Sequence, residues 1–124
     1  MYKVVFYKDR NGKEHLKDYI YDLVKKGKSN KNERIQAEKI LASIKLLAIY
    51  GVKVGMPKVK HIDGEIWELR PLKHRIFFFY WEKDKFVLLH HYIKKTQKAP
   101  KREIERAKNN LISFLERSEE NGED

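Results

Sequence analysis

The 124 residues suit one hydrophobic core, and 41% hydrophobic with 12% aromatic residues is enough apolar material to fill it. With 37% charged residues and a net charge of +10, the surface attracts phosphate backbones and other polyanions, while no apolar run approaches the ~20 residues that span a bilayer. Cysteine is absent, which excludes disulfide frameworks and thiol-based zinc or redox sites; the opening MYKVVFYKDR also lacks the apolar centre of a secretion signal, so a cytoplasmic location and no membrane partner are expected.

Tyr2 to Tyr7 is rich in aromatic and β-branched residues and predicts a strand, closed by the turn signal Asp9-Arg10-Asn11-Gly12. From Lys13 the period becomes helical, with Leu16, Tyr19, Ile20, Leu23 and Val24 on one stripe and Gly27 placed to stop it. After the polar link Lys28–Asn32, which offers Ser29, Asn30 and Asn32 as caps, a second helix carries Ile40, Ile44 and Leu47 beside Ala37, Leu41 and Ala48. Gly51 marks its end. The stretch 52–64 reads as a loop with a short strand at 58–62, and it concentrates Lys53, Lys58, Lys60 and His61.

Three strands follow: EIWELR, RIFFFYWE and FVLLHHYI. Alternation puts Ile66, Glu68 and Arg70 opposite Trp67 and Leu69, and Arg75, Phe77, Phe79 and Trp81 opposite Ile76, Phe78 and Tyr80. The same rule groups Phe86, Leu88, His90, Tyr92 and Lys94 against Val87, Leu89, His91, Ile93 and Lys95. Pro71 breaks the ladder between the first two strands, and Lys83-Asp84-Lys85 predicts a tight hairpin between the last two. Apolar residues on both faces of RIFFFYW make it the central strand, with helices on one side and a less dry environment on the other. Pro100 then opens a last helix, whose stripe is Ile104, Ala107, Leu111, Phe114 and Leu115. The domain is therefore expected over 1–115. Residues 116–124 hold five acids against Arg117 alone and read as an acidic flexible tail.

In an antiparallel hairpin Arg70 and Arg75 approach one another across the turn, and two guanidiniums in proximity favour an anion between them. Lys94 and Lys95 leave the neighbouring strand beside His90, His91 and Tyr92. Such parts suit phosphodiester cleavage without a metal: cations hold the phosphate, and a histidine, lysine or tyrosine moves a proton. RNA supplies its own nucleophile as the 2′-hydroxyl. The pattern is equally compatible with salt-sensitive phosphate binding without chemistry, and with His90 and His91 as partly buried strand residues. No cofactor and no metal are expected, since adjacent histidines on a strand point to opposite faces and no clustered acids accompany them.

IWELRP, then RIFFFYW, then VLLHHYIKKTQKAPKREIERAKNNL, together covering about 66–111, resembles the phage-derived HigB branch of the RelE/ParE toxin superfamily. The resemblance implies an α+β fold, a small mostly antiparallel sheet against an N-terminal helical hairpin with a closing C-terminal helix. It also implies the toxin of a type II toxin–antitoxin pair, a ribosome-dependent mRNA endoribonuclease neutralised by a helix-turn-helix antitoxin through which alone it meets operator DNA. A gyrase inhibitor of the ParE kind and a non-toxic nucleic-acid-binding module are the alternatives. By position, Arg70 and Arg75 are expected to bind phosphate and stabilise developing charge, followed by Lys94 and Lys95, with His90 and Tyr92 as proton-transfer candidates. Glu68 is expected to pair with an arginine or act as base. The expected RNA-binding residues are Lys58, Lys60, His61, Lys73, His74, Lys98, Lys101 and Arg102. His91 and Tyr92 depart from the glycine and phenylalanine frequent in relatives.

Overall fold

The computed structural model describes residues 1–120 and contains five strands and three α-helices. In chain order these are β1 (Lys3–Phe6), α1 (His15–Lys26), α2 (Lys31–Tyr50), a 3₁₀ turn (Gly51–Val54), β2 (Val59–Asp63), β3 (Ile66–Leu69), β4 (His74–Trp81), β5 (Lys85–Ile93) and α3 (Lys101–Glu120). The strands form one sheet in the order β1-β5-β4-β3-β2, antiparallel except for β1, which runs parallel to β5. The expected α+β architecture is the one observed.

Local chemistry sets the ends of the elements. Asp9 accepts from the backbone N–H groups of Asn11 and Lys13, both at 2.9 Å, and winds the turn that leads into α1. The Asn30 side chain caps α2 by accepting from Glu33 N at 3.0 Å. Gly51 ends that helix at φ +63°, and a Cβ there would lie 3.0 Å from the Tyr2 ring, so both its backbone and its surroundings require glycine.

Two cores lie on the two faces of the sheet. Under α1 and α2, Leu16, Ile20, Ile40 and Leu47 pack on Leu69, Ile76, Phe78, Phe86 and Leu88. Under α3, Ile66, Phe77, Phe79, Val87 and Leu89 pack on Ala107, with Ile104, Leu111 and Phe114 at the margin. Phe77, Phe78 and Phe79 are each at most 1% exposed, and burying such a side chain contributes about 1.5–3 kcal/mol. Central β4 is thus covered by helices on both sides, not one: His74 through Phe79 are buried, and it reaches solvent only at its far end, at Tyr80 and Trp81. Val24, Leu41 and Leu115, expected on the helical stripes, are instead exposed.

Two expectations are corrected. The hairpin register runs Phe77↔His90 and then Phe78↔Leu88, so Leu89 is an extra residue on β5. This bulge reverses the alternation: His90 and Tyr92 lie on the α3 face with Val87 and Leu89, while His91 lies against Tyr19 of α1 at 4.7 Å between ring centroids. The second correction concerns 116–124. Helix α3 continues through Glu120, and the Arg117 guanidinium donates to the carbonyls of Lys8 and Asp9, so the first five residues of the expected tail are helical and tied to the β1–α1 loop. Residues 121–124 lie outside the described residues.

Candidate active site

The hairpin turn between β3 and β4 decides where the arginines go. Pro71 cannot extend the ladder, Leu72 adopts φ +53°, and His74 N returns to Pro71 O at 2.9 Å. The turn carbonyls then face Arg75, whose Nη1 donates to Leu72 O and to His74 O, each at 2.9 Å. Lys94 N donates to Lys73 O at 2.7 Å, which fastens the end of β5 to the same turn. Arg75 is only 7% exposed, so its guanidinium is a fixed feature of the fold.

Arg70, Arg75, Lys60, Lys94, Glu68 and Tyr92 line one cleft of about 220 Å³, closed on its far side by Thr96–Ala99 and Ile104. Glu68 sits between the cations: its Oε1 is 3.4 Å from Arg70 Nε, and its Oε2 accepts from the Tyr92 hydroxyl at 3.5 Å. Burial raises the Glu68 carboxyl above its ordinary range, against the pull of Arg70, Arg75 and Lys60. Burial, and then the neighbouring Arg70 charge, lower Arg75. Burial followed by the Glu68 charge pushes the Tyr92 phenol up to about 12, so at neutral pH Tyr92 is a proton donor.

The remaining expected residues are distributed differently. Lys95 lines an adjoining groove with Arg102, Glu103 and Pro100, which shares Tyr92 and Lys98 with the arginine cleft. His90 is turned from that cleft by the bulge and donates from Nε2 to Glu103 Oε1 at 2.7 Å. His74 is not a surface residue at all: it is 2% exposed, with Nε2 placed 2.8 Å from the Tyr19 hydroxyl, because the strand starts one residue before Arg75 and points His74 under α1. Lys58, Lys73, Lys101 and Arg102 are exposed around the cleft without lining it, whereas His61, also exposed, does line it, with Nε2 2.7 Å from Gly64 O. His91 is lowered to about 4 by burial and then by the other imidazoles, and is neutral.

Sequence reasoning did not find Glu103, Tyr19 or Asn110. Glu103 carries one weak signal, an acid in the first turn after Pro100, where the helix dipole favours negative charge. Its partnership with His90 depends on a register the pattern does not show. Among the described residues, no group of three or more His, Asp or Glu is arranged to hold a metal ion, and no helix is long and apolar enough to cross a membrane.

Chemically, the cleft offers a buried guanidinium, a second one braced by a carboxylate, three lining lysines and a protonated phenol. That set can hold a phosphodiester and take up the charge its cleavage develops. No curated protein is similar enough to this chain to count as a match. The model for the family described as "Phage derived protein Gp49-like (DUF891)", a family associated with toxins of toxin–antitoxin pairs, matches residues 29–111, from the start of α2 through β5 into α3, and the chain belongs to that family.

Proposed function

We propose that this protein is a HigB-type toxin, an mRNA endoribonuclease that acts on the ribosome in the cytoplasm and is silenced by a helix-turn-helix antitoxin. Family membership implies an antitoxin partner. The observation that carries the nuclease reading is the fixed Arg75, gripped by two turn carbonyls and facing Arg70, Lys94, Glu68 and Tyr92 across one cleft.

The reaction needs no nucleophile from the protein. The 2′-hydroxyl oxygen attacks the adjacent phosphorus, the bond to the 5′ oxygen breaks, and a cyclic 2′,3′-phosphate and a 5′-hydroxyl result. Arg75 and Arg70 stabilise the charge on the non-bridging oxygens, which is worth most in a partly buried site. Glu68 accepts the 2′-hydroxyl proton, a role supported by burial, which makes its carboxylate a stronger base than an exposed one. Tyr92 returns a proton to the departing 5′ oxygen. Lys60 and Lys94 guide the strand, and the exposed Lys58, Lys73, Lys98, Lys101 and Arg102 extend a basic surface toward ribosomal RNA. His61 and Lys95 flank this path.

Primer extension on cellular transcripts after brief induction tests the reading. Discrete ends inside translated codons support it; growth arrest with intact messages and broken or entangled DNA would replace it with the gyrase-inhibitor reading. Absence of any arrest without antitoxin would leave a nucleic-acid-binding module.

A further inference from the structure

A second cleft, of about 410 Å³, opens between α1 and α3 and shares none of its lining residues with the arginine cleft. It lies where β1 stops pairing at Leu88 and leaves the following part of β5 without a strand neighbour on that side. A few hundred Å³ is the size of a site for a small molecule.

Of the three imidazoles that line it, His15, His90 and His91, the first two are each held by their own carboxylate. His15 Nε2 donates to Asp9 Oδ2 at 2.8 Å, and His90 Nε2 donates to Glu103 Oε1 at 2.7 Å. Asp9 is itself fixed by two backbone N–H groups, which together with His15 hold its carboxyl below the usual range. Asn110 gives an N–H to Leu89 O at 2.8 Å, so its amide orientation is set and its oxygen remains an acceptor. Arg106 makes no ion pair or side-chain hydrogen bond among the described residues.

A nucleotide presents a flat π surface, a polar edge and one phosphate. The cleft presents planar rings from Tyr7, His15 and His90, the Asn110 acceptor and one unpaired guanidinium. We propose that it is a mononucleotide site, which takes one unstacked nucleotide of an RNA strand with its base among those rings and its phosphate on Arg106. A peptide rich in acids fits less well, because Asp9 stands in the wall, Glu103 lies behind His90, and only Arg106 is unpaired. The proposal does not depend on what the arginine cleft does.

The test is an NMR titration of the full chain with AMP, GMP, CMP and UMP, and with inorganic phosphate as the reference. Saturable shifts at the His15 and His90 rings and the Asn110 side chain are expected, separate from any at Tyr92, which reports the arginine cleft. Arg106→Ala, an exposed substitution, should weaken the nucleotide by about tenfold. Shifts confined to Tyr92, no shifts up to ~10 mM nucleotide, or phosphate alone binding as well as any nucleotide would overturn the proposal. So would shifts at these residues produced by an acidic peptide and not by nucleotides.

Discussion

Beneath α1 and α2 the sheet face is apolar from Phe86 through Phe78 to Leu69, whereas beneath α3 the same strands pass from Phe79 and Val87 to Arg75, Glu68 and Tyr92. The first face has two helices over it. The second has one, and it starts only at Lys101, after a linker that leaves the ends of β3, β4 and β5 as a cleft rather than a core. Charged side chains can occupy the same strands as phenylalanines because the change falls where the helix cover stops. Stability and the candidate chemistry thus share β4 but occupy different parts of it.

The largest expected effect lies on the dry face. Phe78→Ala should cost about 3–5 kcal/mol in a denaturant titration, because Phe78 is fully buried among residues that cannot collapse into the space. On the ionic end, Glu68→Ala should cost about 3 kcal/mol despite removing a charge, since it strands Arg70 and the buried Arg75 beside each other. A near-neutral result there would mean that solvent already screens the pair.

Acid should act through the α1 side of the sheet. His91 in the folded protein is lowered to about 4, below its ordinary value near 6.5, and burial lowers His74 in the same direction. The unfolded chain therefore binds more protons in this window, and the stabilisation present above pH ~6.5 is lost as pH falls toward 4, by on the order of 2 kcal/mol. Glu68, which is raised, works in the opposite sense over the carboxylate range. Denaturation midpoints at pH 7 and pH 5 measure the loss, and His91→Gln should flatten it. The smallest effect is expected at the α2 cap, where Asn30→Ala should lower stability by about 1 kcal/mol without touching either face.

Most of this fold was legible as pattern. The apolar periods of α1, α2 and α3, the breaks at Gly51 and Pro71, and the alternation along β3 and β4 follow from side-chain spacing alone. The arginine pairing was legible too, since a hairpin must bring Arg70 toward Arg75. The β5 faces were not, because a bulge at Leu89 adds a residue without any local signal and moves His90 and Tyr92 to the other face. Nor was His74, whose burial depends on Tyr19, 55 residues earlier in the chain. The separation of Lys94 from Lys95 was legible, since alternation alone sends adjacent residues into different grooves.

The proposed role of Arg75 as a fixed phosphate ligand is tested most directly by single-turnover cleavage of a ribosome-bound message by wild type and Arg75→Ala. With matched thermal unfolding, the variant should be slower by about 10²–10³-fold, the loss typical when one donor to a developing oxyanion is removed. Rates within about twofold of each other in two equally folded proteins would contradict it.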